Sequence, residues 1–315
     1  MSALFRTGLF FAALPFRTKL YRSGGWPSIV AEEEPLKAYA TFLRRFFSKQ
    51  ELLSALDRAD QYIERQGSRP MRFRLTLNSD EAYPPLLKRI FDPPPVLFWK
   101  GSELHGPGVT YVAVVGTRYP DRITIEAVDR FADCLIDASS VSSLYRICIE
   151  ESLPQPSLFP EEREVADGVD LVTVSGFALG VDERIHRASI YRRVPTLAVL
   201  GSGLEMITPV SNQYLLDEAE ERNAELAFVS EFFPDDPPRK FAYPRRNRII
   251  AGMSPLCVVF QAGPRSGALI TARFAIEEGR DVAAFDHPDL YGVGKNEGAR
   301  HLLAEGASRL TLFAA

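Results

Sequence analysis

The stretch that decides the fold of this chain of 315 residues runs from Arg239 to Arg280 and reads RKFAYPRRNRIIAGMSPLCVVFQAGPRSGALITARFAIEEGR. It opens with closely spaced cations, namely Arg239, Lys240, Arg245, Arg246 and Arg248. The uninterrupted apolar run from Leu256 to Phe260 predicts a buried strand, and Ala268 to Glu278 has the spacing of a helix. Residues 261–267 form a Gly- and Ser-containing loop between them. A cationic segment beside a strand–loop–helix unit is suited to holding an anion.

The same strand–loop–helix unit recurs along the chain from Tyr111 onward. The predicted strands are Val112–Val115, Leu171–Val174, Thr196–Leu200, Ala227–Val229, Leu256–Phe260 and Asp281–Phe285. Continuous apolar strands that alternate with helices are typical of a parallel sheet covered on both faces. The pattern therefore predicts an α/β fold.

The first 70 residues lack this rhythm and show helical spacing instead, over residues 36–47 and 51–65. They predict a small helical N-terminal domain (residues 1–70), followed by the α/β domain (residues 71–315). Residues 138–169 are rich in Ser, Pro and Glu and are too long for an ordinary loop, so they predict a surface insertion.

Composition narrows the class of protein. Because the chain has a net charge of −4, its overall electrostatic field repels nucleic acid weakly, so any binding of nucleic acid must use a local positive patch. Three scattered cysteines argue against a disulfide framework or zinc site and favour a reducing compartment. The apolar segment Gly8–Phe16 is too short to span a bilayer and lacks a cleavage site, so we interpret it as a buried helix. We expect a cytoplasmic protein with no membrane contact.

Four loops rich in Gly and Ser follow the predicted strands. They are Gly116-Thr117-Arg118, Ser175-Gly176-Phe177-Ala178-Leu179-Gly180, Gly201-Ser202-Gly203 and the loop of residues 263–267. Single loops of this kind are common, but the carboxyl ends of parallel strands meet at one edge of the sheet. Glycine permits close backbone approach, and helix N-termini offer N–H groups to anions. The four loops together predict a phosphate-binding edge.

The residues in and around the loops indicate which kind of phosphate ligand this edge binds. Gly201-Ser202-Gly203 starts like a dinucleotide fingerprint but has Met206 at its last glycine position, and there is no P-loop motif. A row of arginines suits a polymer of phosphates better than a single nucleotide. The arginines near the loops are Arg118, Arg245, Arg246, Arg248 and Arg273. Because Arg245 and Arg246 are neighbours after Pro244, we expect a presented turn there. Phe241 and Tyr243 either stack on bases or pack on the sheet.

Catalytic signals are weak. None of the four histidines lies near other residues at the spacing of a metal site. Neither Ser175 nor Ser266 has a nearby residue in the sequence that is an obvious general base. We expect no catalysis, no metal and no cofactor.

Several motifs resemble those of one known family, DNA processing protein A (DprA/Smf), across roughly residues 80–310. In chain order they lie at Tyr83–Gly101, Val112–Arg118, Val174–His186, Leu197–Glu205, Ser230–Phe232, Tyr243–Ser254, Ser266–Val282 and Gly298–Ala307. The resemblance implies an extended Rossmann-like fold and a homodimer that binds single-stranded DNA without base specificity. It also implies protection of incoming DNA and loading of the RecA recombinase during natural transformation (competence), without catalysis. Because the chain ends at Ala315, we expect a divergent member without the C-terminal winged-helix domain of many relatives.

The resemblance also implies a set of DNA- and phosphate-binding residues. Arg118 is the expected phosphate contact, and some arginines of the 245–248 block are expected to support the fold. The full predicted set is Gly116, Thr117, Arg118, Ser175, Gly176, Gly180, Gly201, Ser202, Gly203, Arg245, Arg246, Asn247, Arg248, Ser266, Gly267, Thr271 and Arg273.

Two alternatives stay open at the level of the sequence. One is a Rossmann-like nucleotide-binding protein that senses a small nucleotide on the same scaffold. The other is an enzyme like the nucleotide phosphoribohydrolases, whose loop carries a catalytic glutamate. Here that loop reads AGPRSGALITAR, with Thr271 and Arg273 near the position where a glutamate is needed.

Overall fold

A computed structural model describes residues 2–15, 25–106, 108–150 and 170–313. Ten strands form one sheet in the order β1-β2-β7-β6-β5-β3-β8-β9-β10-β4. The strands are β1 (Arg74–Leu77), β2 (Val96–Gly101), β3 (Val109–Gly116), β4 (Ile149–Glu150), β5 (Asp170–Ser175), β6 (Thr196–Val199), β7 (Leu226–Ser230), β8 (Leu256–Phe260), β9 (Asp281–Ala284) and β10 (Ser308–Leu310).

The seven strands from β7 to β10 in this order pair in parallel, whereas β1, β2 and β4 pair antiparallel at the two sides. The six strands predicted from apolar runs are all present. The α/β, Rossmann-like class is therefore confirmed, with a mixed rather than purely parallel sheet. β3 lies centrally: the chain builds β5, β6 and β7 on one side of it and then β8, β9 and β10 on the other. The loops after β3 and β8 consequently diverge, which leaves a crevice at the carboxyl ends of these strands.

Helices cover both faces of the sheet. They are α1 (Ala3–Ala13), α2 (Pro35–Ala38), α3 (Ala40–Leu43), α4 (Lys49–Gln66), α5 (Pro85–Lys88), α6 (Arg122–Asp137), α7 (Val141–Cys148), α8 (Val181–Arg192), α9 (Tyr214–Arg222), α10 (Ala242–Met253), α11 (Ala268–Glu277) and α12 (Glu297–Ala304). On one face, α10, α11 and α12 pack against alternate strand residues such as Val115 and Val259. On the other face, α6 and α8 pack against residues such as Val114 and Val258.

The N-terminal helices share a core with the sheet. Leu9 and Phe10 of α1 belong to the same buried cluster as Val96 and Phe98 of β2. Gly8 permits this approach, because a Cβ there would overlap the side chain of Leu75. The interpretation of the N-terminal apolar segment as a buried helix is confirmed, although Phe16 lies outside the described residues. The division of domains at residue 70 stays a prediction.

The predicted insertion is partly described. Residues 141–148 form α7, which begins with a reciprocal cap between Ser140 and Ser143, and β4 then pairs with β10 at the sheet edge. The remainder of the insertion, residues 151–169, lies outside the described residues. Over the part of the chain that the structure describes, no helix has the length and apolar character needed to span a membrane.

Candidate phosphate-binding cleft

An open cleft of about 1020 Å³ lies at the carboxyl ends of β3 and β8. Its walls are the loop after β3, the first turns of α10, the loop after β8 with the start of α11, and the loop that precedes α12. The predicted residues that line it are Gly116, Thr117, Arg118, Arg246, Asn247, Ser266, Gly267 and Thr271. The expected convergence of the loops on one edge therefore holds for those after β3 and β8, and the loop after β5 contributes Ala178, whereas the loop after β6 does not line the cleft.

Arg118 projects from a turn that packs closely against the loop after β5. The loop after β5 is bonded to it, since the Val181 N–H donates to the carbonyl of Thr117 at 3.1 Å. Gly180 has φ +83°, and a Cβ there would lie only 2.5 Å from that same carbonyl oxygen. Arg118 itself is exposed, and its side chain has no hydrogen bond or ion pair within the described ranges. The turn thus presents a solvated guanidinium to the cleft.

The opposite wall is the N-terminus of α11. The Ser266 N–H donates to the Gly263 carbonyl at 3.0 Å, and the Ala268 N–H donates to Ser266 Oγ at 3.3 Å. Gly267 is exposed and has open space where a side chain would stand. The N–H groups of Leu269 and Ile270 also have partners, the Ser266 and Gly267 carbonyls, but a helix N-terminus carries a partial positive charge, so this wall favours an anion.

Arg246 forms part of the floor of the cleft and is mostly a structural residue. Its Nη1 donates to the Val199 carbonyl at 2.5 Å, and Gly176 leaves the room that its guanidinium fills. Burial lowers the pKa of Arg246, against the attraction of the nearby Asp182 carboxylate. Burial likewise raises the pKa of Asp182, against the attraction of Arg246. The pair therefore adds little net charge to the site.

Arg245 and Arg248 point away from the cleft. Both donate to the buried Glu231: Arg245 through Nε and Nη2 at 3.0 and 2.9 Å, and Arg248 through Nη2 at 2.6 Å. Arg248 Nε also donates to Asp92 at 3.0 Å. The prediction of a presented turn here is wrong, because Pro244 lies in the first turn of α10, where proline is tolerated. Residues three apart share a helix face, so Arg245 and Arg248 both reach Glu231.

Other predicted residues hold the loops together instead of lining the cleft. Ser175 Oγ donates to the Val114 carbonyl at 2.6 Å, and Ser202 Oγ donates to the Met206 carbonyl at 2.7 Å. Gly201 packs against the ring of Tyr243, and a Cβ at Gly203 would overlap the backbone after β7. The loop after β6 therefore lies beneath α10. Arg273 is exposed on α11 but does not line the cleft. A direct contact of these residues with DNA stays a prediction.

Sequence reasoning missed several residues that line the cleft. Tyr119, directly after Arg118, is 84% exposed. Lys295 comes from the loop before α12, and its Nζ lies 2.7 Å from Asp121 Oδ1. Gln261 orders that wall, because its Oε1 accepts from the Asp121 N–H and its Nε2 donates to Asp121 Oδ2. Lys240 and Arg265 add two exposed cations at the rim. Tyr119 follows the Gly-Thr-Arg turn, Lys240 lies in the cationic run, and Gln261 and Arg265 lie in the loop after β8. Of these residues, Lys295 alone lies outside the segments that the sequence marks.

Two carboxylates line the cleft, and both have partners: Asp121 Oδ1 accepts from Lys295 Nζ, and the buried Asp182 lies near Arg246. His186 is fully buried, its Nδ1 lies 2.8 Å from Thr196 Oγ1, and burial lowers its pKa to about 3. Among the described residues, no three His, Cys, Asp or Glu side chains are placed to hold a metal ion.

Comparison with known proteins gives a consistent result. A family model described as DNA recombination-mediator protein A matches residues 74–142 and 163–314. DNA processing protein DprA of Streptococcus pneumoniae is 35% identical over 232 residues, which is 74% of this chain and 69% of that protein. Protein Smf of Escherichia coli is 34% identical over 73% of this chain, but the match spans only 52% of its own length.

Two solved structures share the fold. The X-ray structure of the S. pneumoniae protein matches with a TM-score of 0.64 at 26% identity, over 98% of this chain and 93% of that one. A structure of the Helicobacter pylori protein, which concerns its mode of binding single-stranded DNA, matches with a TM-score of 0.55 over 75% of this chain and 91% of that one. At 21% identity, the second match shows the fold alone.

Proposed function

Since this chain belongs to the DNA recombination-mediator protein A family, we propose that it binds single-stranded DNA in the cleft between β3 and β8. One observation carries the proposal: a solvated arginine, Arg118, and the N-terminus of α11 line the same open cleft. Lys240 and Arg265 extend the positive charge along the rim. A row of cations along a groove is suited to successive phosphates, whereas a single nucleotide needs one such position.

The cleft favours recognition of the backbone over recognition of sequence. Its cations and helix N-terminus address phosphates, which every nucleotide carries. Tyr119 and Tyr243 also line the cleft, and aromatic rings stack on any base. We therefore expect preference for single strands, whose bases are free to stack, and little dependence on base sequence.

The cellular role that we propose is that of a recombination mediator. Family membership supports a cytoplasmic homodimer that protects incoming DNA and helps load RecA during natural transformation. We propose no catalysis, in keeping with a cleft whose two carboxylates are engaged: Asp121 with Lys295, and the buried Asp182 near Arg246.

The test is fluorescence anisotropy of a labelled oligonucleotide of about 16 nucleotides, near the upper site size of single-strand binders. Arg118→Ala is compared with Arg122→Ala, an exposed arginine on α6 that does not line the cleft. We expect the first variant to bind about 10-fold more weakly, since one charge-assisted phosphate contact is lost, and the second to bind like wild type.

Competition experiments separate the proposal from its rivals. Unlabelled single strand should displace the probe, whereas the matching duplex and a mononucleotide should displace it poorly. Tight binding of a mononucleotide alone would instead favour a nucleotide sensor, and release of free base from it would favour an enzyme. Equal affinities of wild type and Arg118→Ala would refute the site assignment.

A further inference from the structure

A second cavity, of about 790 Å³, lies on the other side of α10 from the cleft. Its lining is largely apolar and aromatic, with Ile90, Phe91, Phe241 and Phe274. Phe91 is 66% exposed and Phe241 is 57% exposed, although both rings face an apolar groove. Exposed aromatic rings that gather around one groove mark a binding site more often than scattered ones do.

The helix α10 and the two residues before it border both cavities. Lys240, Tyr243 and Asn247 line the cleft, whereas Phe241 and Arg245 line the second cavity. The side chains of Arg239 and Lys240 are exposed and have no ion pair among the residues the structure describes. A strand whose phosphates leave the cleft at Lys240 therefore meets the ring of Phe241 at the next residue.

The charges of the second cavity exclude a phosphate. Its arginines, Arg245 and Arg248, are bonded to Glu231 and Asp92. The carboxylates of Glu277 and Glu278 add negative charge to the lining. Asp92 Oδ1 is buried and has no hydrogen-bond partner within the described part of the chain. A carboxylate repels a phosphate but accepts hydrogen bonds from the amino groups of adenine, cytosine and guanine.

We infer that the second cavity is a base-binding subsite, in which one or more bases of the bound single strand leave the stack and lie against Phe241 and Phe91. The backbone stays outside, at Arg239 and Lys240, where the free cations are. This inference rests on the proposed function and specifies how the strand continues beyond the cleft. Cations along the backbone path with aromatic rings beneath the bases are the usual design of single-strand binders.

The experiment compares two probes of equal charge. One is a labelled oligo(dC), and the other has the same length and phosphates but abasic sugars throughout. Each is titrated with wild type, Phe241→Ala and Ile276→Ala, where Ile276 is an apolar residue of α11 that is 53% exposed and does not line the cavity. Phe241→Leu, which keeps an apolar side chain without a ring, guards against misfolding as a cause of any loss.

Loss of one stacked base is expected to weaken the binding of oligo(dC) to Phe241→Ala by about 5-fold or more. Phe241→Leu should weaken it similarly, whereas Ile276→Ala should not. All four proteins should bind the abasic strand equally. Unchanged affinity of Phe241→Ala for oligo(dC), or an equal loss on the abasic strand, would overturn the subsite and leave the groove to a protein partner. The proposed function fails separately, if wild type binds neither probe or Arg118→Ala binds like wild type.

Discussion

The buried carboxylate of Glu231 gives the most quantitative prediction about the cationic run. We consider Glu231→Gln, which preserves the shape of the side chain and removes its charge. Glu231 accepts three hydrogen bonds from Arg245 and Arg248, and its side chain is 3% exposed. Burial raises the pKa of Glu231, but the attraction of Arg245 and then Arg248 outweighs it, so the net pKa lies below the ordinary value.

Removal of one partner from a buried ion pair destabilises a protein by about 3–5 kcal/mol. Two features place this variant at the lower end of that range. Arg248 keeps its bond to Asp92, and the side chain of Arg245 is 19% exposed, so neither guanidinium is left in a wholly apolar setting. We therefore expect the free energy of unfolding to fall by about 3 kcal/mol.

The assay is urea unfolding followed by circular dichroism, with Asp133→Asn as the matched control. Asp133 also holds an arginine, Arg192, through two bonds, but its side chain is 58% exposed. The control should lose no more than about 1 kcal/mol, as for other exposed pairs. If Glu231→Gln unfolds like wild type and binds DNA more weakly, then Arg245 and Arg248 act as DNA ligands and the structural reasoning is refuted.

The remaining predictions concern two glycines, Gly176 and Gly267, and one partly buried acid, Asp92. Gly176→Ala should lower the free energy of unfolding by about 1–3 kcal/mol, because its Cβ would overlap the guanidinium of Arg246, whereas Gly267→Ala, which meets open space, should change it by less than about 1 kcal/mol. Equal urea midpoints for the two variants would contradict this. Burial raises the pKa of Asp92 to about 6, against the attraction of Arg248. Because the pKa of Asp92 is higher in the folded state than in the unfolded state, protonation stabilises the folded protein, and this stabilisation is lost as the pH rises through about 6. The free energy of unfolding of wild type should therefore fall by about 2 kcal/mol relative to Asp92→Asn between about pH 4 and pH 7. A difference that stays constant over this range would show that Asp92 is ionised throughout.

Most of the fold follows from local pattern. The apolar runs at Val112–Val115 and Leu256–Phe260 specify buried strands, and their parallel pairing follows from the helices between them. The antiparallel strand β1 was not predicted. Its RLTL sequence is short, and it becomes a strand because α1 and β2 cover it. Tertiary context of that kind has no local signal.

Part of the candidate site also follows from local pattern, and part depends on tertiary contacts. Gly116-Thr117-Arg118 and Ser266-Gly267 are strand-end loops, so topology alone places them at the cleft. Whether each arginine is bonded within the fold depends on partners far away in sequence. Arg248 donates to Asp92, and Arg246 donates to the Val199 carbonyl. Lys295 likewise reaches the cleft through a distant carboxylate, Asp121. A charge run in sequence therefore cannot say which cations remain free for a ligand.

The salt dependence of single-strand binding by wild type and Arg118→Ala tests the central claim most directly. The dissociation constant of one labelled oligonucleotide is measured for both proteins from about 50 to 200 mM salt. A phosphate contact made by Arg118 predicts weaker binding at every salt concentration and a plot of log K against log salt that is shallower by about 0.7. Parallel lines of equal height would show that Arg118 does not touch the strand, and the assignment of this cleft as the DNA site would then be wrong.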